Sequence, residues 1–348
     1  MKSRTLLLLC IGATLHLSSC SNDDNNVPST QFDVSGKNDT NTTSETGETD
    51  EDEENTNEGE TNEETTENKT TPYELDPNLA PSENFDLSYW YLSVPTDTDN
   101  NGKADSIYEA TLNNSYESNE FFYTGSDGGM VFKCPIDGHK TSTNTSYIRT
   151  ELREMLRNGN TSISTSDLRN NWVFSSAPQD DLDIAGGVDG ELFATLAINK
   201  VTTTGSDSHV GRIIIGQIHA NTDEPIRLYY RKLPDNELGS LYFAHELNHG
   251  SDTWINILGD RGNSTDPEDG IALDEVFSYR IKVVGNEMWV TLIREGKEDI
   301  VTYVDMSNSL YDEGDQYMYF KAGIYQGNNT GDADDYAQVT FYELEANH

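Results

Sequence analysis

Cysteine is scarce in this 348-residue chain, which has three: Cys10, Cys20 and Cys134. Three cysteines cannot build a disulfide framework. Cys10 lies within an apolar N-terminal run, and Cys134 reads as a buried small hydrophobe. Basic residues are also few, 22 Lys+Arg against 62 Asp+Glu, for a formal net charge of -40. That field excludes nucleic acid as a partner. It also means that a site for a polyanion would need a local basic cluster. Helical patterning is missing, because no long segment repeats apolar residues at a helical period between caps. The apolar stretch Leu6 to Leu17 is too short to span a membrane.

What is present begins with an export signal. Lys2 and Arg4 precede the apolar stretch, which ends in Leu17-Ser18-Ser19-Cys20. That tetrapeptide resembles a bacterial lipobox, which implies lipidation of Cys20 and an anchor at the outer membrane or cell surface. Residues 1–20 are then a lipoprotein signal peptide. Residues 21–80 are rich in Asn, Thr, Glu and Asp and include Asp50-Glu51-Asp52-Glu53-Glu54. Such a segment cannot bury enough surface to offset its chain entropy, so a disordered acidic tether is expected.

From Phe85 onward aromatic and β-branched residues return, in short runs between Gly/Asn/Asp turns. Expected strands are 89–94, 129–133, 146–156, 191–200, 212–219, 227–232, 242–245, 277–284, 287–294, 317–325 and 337–344. Many short strands in one domain, 81–348, predict an all-β fold, an antiparallel β-sandwich or jelly roll with a concave groove.

Three of these segments alternate unusual polar residues. In Tyr147-Ile148-Arg149-Thr150-Glu151-Leu152-Arg153, a strand points Arg149, Glu151 and Arg153 to one face. In Ile215-Gly216-Gln217-Ile218-His219, Gln217 and His219 share a face. In Tyr319-Phe320-Lys321-Ala322-Gly323-Ile324-Tyr325-Gln326, Tyr319, Lys321 and Tyr325 do so. A polar strand face is commonly the solvated one. Three faces carrying Arg, Gln, His and Tyr also suit a built surface with cations, amide donors, a base and a phenol.

Arg149-Thr150-Glu151-Leu152-Arg153, Gln217-Ile218-His219 and Tyr319 to Gln326 resemble, in order, three motifs of the family 7 polysaccharide lyases, the alginate lyases. The resemblance covers residues 85–348 and implies a jelly roll that binds alginate, a polyanionic polysaccharide, as a monomer with no catalytic cofactor. Ile324 and Gln326 stand where the family varies. The implied reaction is β-elimination at a 4-linked uronate, which removes the proton on C5 beside the C6 carboxylate. Arg149 would neutralise that carboxylate with a forked cation. Gln217 would add an amide donor, and His219 would take the proton. Tyr325 would protonate the leaving oxygen and can serve as base for the other epimer. Glu151 would orient an arginine, while Arg153, Lys321 and Tyr319 would line the substrate. Gln-Ile-His in this motif leans toward guluronate-containing stretches.

Other signals compete. His245-Glu246-Leu247-Asn248-His249 matches a zinc-protease pattern, but that pattern needs a helix, and Leu241-Tyr242-Phe243 reads as a strand. Asp97, Asp99, Asn101, Lys103 and Asp105, with Gly102 at the sixth place, match the start of a structural calcium loop. The carboxylate expected at its twelfth place is missing, and such runs also make ordinary turns. A glycoside hydrolase would need a close carboxylate pair on one strand, and no such motif is found. A non-catalytic carbohydrate-binding module would explain the fold but not His219 and Tyr325 beside Arg149 and Gln217. A lyase for another polyuronate is the nearer alternative.

Overall fold

The computed structural model describes residues 73–262 and 265–348. The expected signal peptide, Cys20 and the expected tether up to residue 72 lie outside these. Packed structure begins ahead of residue 81: Tyr73 stacks on Tyr342 with ring centroids 5.1 Å apart, and Leu75 packs against the core.

Among the described residues the α-helices are single turns of four residues. Two antiparallel sheets hold every described strand except a short parallel pair, Trp172–Val173 with Gly187–Val188. The nine-stranded sheet runs Asp252–Leu258, Leu238–Glu246, Ile226–Arg231, Arg212–His219, Tyr319–Gln326, Arg149–Glu154, Trp90–Val94 and Asp105–Ile107, with Ile271–Ala272 paired onto Leu238–Glu246. The seven-stranded sheet runs Ile300–Asp305, Glu287–Ile293, Val276–Val284, Gly190–Lys200, Tyr336–Asn347, Met130–Pro135 and Phe122–Thr124. This is the expected jelly roll. Each expected strand is found, all but Arg212–His219 with shifted ends. The unexpected ones are short or lie at sheet edges, such as Asp252–Leu258 and Ile300–Asp305. There a half-exposed strand needs little hydrophobic alternation.

The core lies between the sheets. Ile213, Ile215, Leu228, Tyr230, Phe243, Phe320 and Ile324 face Leu196, Ile198, Phe277, Tyr279, Ile281, Val290 and Phe341. Burying each such side chain contributes roughly 1.5–3 kcal/mol. Cys134 belongs to this core, and burial pushes its thiol up to about 12.

The two sheets differ in their outer faces. Val276–Val284 alternates buried with more accessible positions, as a sheet with one wet face should. Arg149–Glu154 and Tyr319–Gln326 are buried at every position, and Arg212–His219 at all but the first. The polar faces of these three central strands are therefore not solvated faces.

A bulge decides where Gln217 and His219 point. Ile213 and Ile215 both face the core, so strict alternation would bury Gln217 there as well. Instead Leu228 pairs with Gly216 and Tyr229 with Ile214, so the ladder skips Ile215. The ladder to Tyr319–Gln326 breaks at the same place. The parity flips, Ile218 turns into the core, and Gln217 and His219 turn out. The Tyr279 hydroxyl, from the other sheet, donates to the Ile215 carbonyl at 3.0 Å. A Cβ on Gly216 would lie 2.6 Å from that hydroxyl oxygen, so only glycine fits.

Candidate active site

The outer face of the central strands is built around Glu151. The Arg149 Nη1 donates to Glu151 Oε2 at 3.3 Å, and Lys321 Nζ lies 3.0 Å from the same oxygen. Gln217 Nε2 donates to Glu151 Oε1. Three neighbouring strands thus converge on one carboxylate that is 2% exposed. The register makes this possible, since Lys321 pairs with Arg153 on one side and with Gln217 on the other, and Gly323 pairs with Glu151. Gly323 holds φ at 128°, and a Cβ there would sit 2.8 Å from the Thr150 carbonyl oxygen. The two cations and the carboxylate offset each other's desolvation.

Arg149 also covers Tyr325, its guanidinium 4.2 Å from the ring centroid. Tyr147 meets Tyr325 edge-on at 5.8 Å. Tyr325 lines a cavity of about 40 Å³ together with Tyr147, Arg212, Glu224, Arg227 and Tyr229.

His219 sits in a second group. Its ring stacks on Tyr319 at 5.0 Å, and Arg153 lies 3.8 Å over the Tyr319 ring. His219 Nδ1 is 2.5 Å from the Ala220 carbonyl oxygen, which can only accept. The proton therefore resides on Nδ1, and Nε2 is the basic nitrogen. Nε2 faces Glu224 Oε1 at 3.4 Å. Glu224 joins the two groups, because it touches His219 and lines the cavity beside Tyr325.

Residues 85–348 match the family model described as alginate lyase. An alginate lyase of Klebsiella pneumoniae is 58% identical over 280 residues, 77% of this chain and 91% of that protein. The chain belongs to the alginate lyase family. The crystal structure of the Klebsiella alginate lyase superposes with a TM-score of 0.76, over 77% of this chain and 98% of that one. The Pseudomonas aeruginosa alginate lyase is 26% identical, with a TM-score of 0.56 over 75% and 99% of the two chains. A variant of alginate lyase A1-II', of family 7, solved in complex with substrate (GGMG), is 26% identical, with a TM-score of 0.55 over 77% and 96%.

Against this family frame, the structure brings together Arg149, Glu151, Gln217, Lys321 and Tyr325 in one contact network, and His219, Tyr319 and Arg153 in the other. The Arg153 guanidinium is anchored within the protein, donating to the carbonyls of Glu154 and Thr165 and to Asn171 Oδ1 at 2.7 to 2.9 Å. It is 1% exposed and ties the Thr165–Asn171 loop to the strand.

The Asp97–Asp105 loop is closed by its own side chains. Asp97 accepts from the backbone N–H of Asn101 and Gly102, Asn101 Oδ1 from that of Lys103, and Asp105 from that of Thr98. No group of three or more His, Cys, Asp or Glu among the described residues is arranged to hold a metal ion. In the HExxH segment, His245 and Glu246 end the Leu238–Glu246 strand, while His249 lies in a turn with φ at 58°. His245 bonds the Pro225 carbonyl through Nδ1 at 2.8 Å, and burial lowers its pKa.

Sequence reasoning missed Glu224, Arg227, Arg212 and Glu246. Arg227 was findable: Arg227, Tyr229 and Arg231 alternate just as Arg149, Glu151 and Arg153 do. Glu224, in a turn, gave no signal, and Glu246, at a strand end, stood out only within the His245–His249 zinc-protease pattern. The two carboxyls lie close enough for each to shift the other's titration. Burial and the neighbouring Glu224 push Glu246 up to about 8. Burial opposes the charge on Glu224, but His219 and Arg227 outweigh it and hold that carboxyl below its usual range.

Proposed function

We propose that this chain cleaves alginate by β-elimination and releases unsaturated uronate products. The observation that carries the reading is the buried Arg149–Glu151–Gln217–Lys321 network on the same sheet face as His219 and Tyr325. A uronate carboxylate resists a carbanion on the adjacent carbon, so its charge must be neutralised before C5 can lose a proton. Arg149 does this with a cation, and Gln217 adds an amide donor. Glu151 holds both side chains in place and Lys321 adds positive charge beside them. His219 Nε2 takes the C5 proton. The C–H electron pair enters the C4–C5 double bond as the C4–O bond breaks, and the Tyr325 hydroxyl protonates the departing oxygen. Arg153 acts indirectly, by fixing Tyr319 against His219.

Family membership supports the reading, as does the family 7 relative caught with substrate, in which a histidine and a tyrosine are replaced. Incubating the chain with alginate and following the ultraviolet band of the unsaturated product tests it. The band should grow with wild type and vanish with His219→Ala and Tyr325→Phe. No growth on alginate, or on its mannuronate-rich or guluronate-rich blocks, would overturn the assignment.

The proposal includes a preference for guluronate-containing stretches, from Gln217-Ile218-His219. A higher initial rate on mannuronate-rich blocks would refute it. It also includes lipidation of Cys20 and residence at the outer membrane or cell surface. Incorporation of labelled palmitate, lost in Cys20→Ala, checks that part; no incorporation into wild type would remove it.

A further inference from the structure

We propose that Glu224 and Glu246 form a positioning pair that stabilises the protonated His219 ring and thereby sets the pH range in which His219 acts as base. The inference rests on the reading of His219 as the group that takes the C5 proton.

The geometry starts from the Ala220–Pro225 turn. It joins Arg212–His219 to Ile226–Arg231 and closes with the Ala220 N–H donating to the Asp223 carbonyl at 2.8 Å. The turn folds Glu224 back against the residue that ends the preceding strand, 3.4 Å from His219 Nε2. Glu246 comes from the next strand but one, and its N–H donates to the Glu224 carbonyl at 3.3 Å. Backbone register thus brings the Glu224 carboxyl to His219 and ties Glu246 to Glu224, rather than leaving either to a chance approach of long surface side chains. Glu224 is 4% exposed.

A carboxylate on the wall of a site for a polyanion works against binding, so its presence needs another reason. Nε2 bears the lone pair of the neutral ring, and an ionised Glu224 facing it is favourable only when a proton lies between them. Transfer of the C5 proton breaks C5–H and forms Nε2–H. The resulting imidazolium then sits against the Glu224 anion. The charged and titratable groups around the ring come from every neighbouring element. Glu224, Arg227, Glu246 and Asp252 lie on one side, with Arg227 Nη1 3.9 Å from Glu224 and Nη2 bonded to Glu246 and Asp252. Tyr319, Lys321 and Glu151 lie on the other, and the Lys321 charge is felt at Glu224. Protonated Glu246 leaves the pair with one negative charge near neutral pH, and its ionisation near 8 adds a second.

The signs follow. An anion beside the ring favours its charged form, so His219 becomes a free base at higher pH than it otherwise would. The test measures kcat/KM on alginate against pH, and titrates the His219 ring nitrogens by NMR, in the full chain and in Glu224→Gln. The acid limb and the ring midpoint should fall together by about one pH unit, a roughly tenfold gain in kcat/KM at a fixed pH on that limb. A merely structural role would lower stability and leave the ring midpoint in place; an unmoved midpoint overturns the inference. If Glu224→Gln does not fold, Glu246→Gln decides. The wild-type ring should show a second inflection near pH 8, where Glu246 ionises, and the variant should lack it. An inflection that persists overturns the pair. If wild type releases no unsaturated product, the proposed function fails, and the ring titrations still decide the pair.

Discussion

The Arg149 guanidinium lies 4.2 Å over the ring of Tyr325. The contact uses the aromatic face, not the hydroxyl, so the two parts of Tyr325 can be separated. Tyr325→Phe keeps the ring that Arg149 packs against and loses only the proton donor. Its kcat should fall by about 10²- to 10⁴-fold, while its Tm stays at the wild-type value. A fall in Tm of several degrees would show instead that the hydroxyl is structural.

Glu151 is the hub of the buried charges. Replacing it with alanine leaves Arg149 and Lys321 facing each other's charge without their carboxylate. Breaking such a buried group costs about 3–5 kcal/mol. Denaturant unfolding of Glu151→Ala should show a loss of that order. A loss under roughly 1 kcal/mol, the range of exposed pairs, would mean that water reaches the site more freely than the burial indicates.

The Ile215 bulge links the core to the site through one hydrogen bond. Tyr279→Phe strands the buried Ile215 carbonyl, at a cost of about 1–3 kcal/mol. The bulge also aims Gln217 and His219. The variant should therefore lose kcat/KM although Tyr279 lies beneath the sheet, away from the site. Kinetics and thermal melts on the same sample check both.

Stability should also depend on pH through His348. Burial pulls its pKa down, but the hydrogen bond and charge of Glu154, with the Asp189 carbonyl, outweigh it and leave the pKa above the ordinary 6.5. Nε2 lies 2.8 Å from Glu154 Oε1. The stability this contributes is fully present below pH 6.5 and is lost as pH rises through the raised folded value. The Tm gap between wild type and His348→Gln should be widest below pH 6.5 and narrow above it. A gap that does not change with pH would contradict the assignment.

Chelation gives the last test. The carboxylates of the Asp97–Asp105 loop already accept backbone N–H groups. EDTA should leave Tm and rate unchanged, whereas Asp97→Ala should lower Tm by removing the turn's acceptors. A fall in Tm with EDTA, restored by calcium, would return the loop to a cation site.

Much of the site was legible because strand geometry is local. The period of two placed Arg149 with Glu151, Gln217 with His219, and Lys321 with Tyr325 without knowledge of any partner strand. Arg153 shows the limit of that rule. It shares the face of Arg149, yet a loop some twelve residues on takes up its guanidinium, and nothing in the alternation marks which arginine is covered.

The sequence by itself determined the all-β class, most strands, and which residues share a face, since these follow from nearest-neighbour sterics and turn chemistry. Only the tertiary structure decided which face is buried and what meets there. The Ile215 bulge flips the parity ahead of Gln217, and it persists because Tyr279 of the opposite sheet satisfies its carbonyl. The Glu224–Glu246 pair forms where a turn and a strand end, 22 residues apart in the chain, are joined by sheet register. Both depend on contacts between elements that the local pattern of either one does not encode.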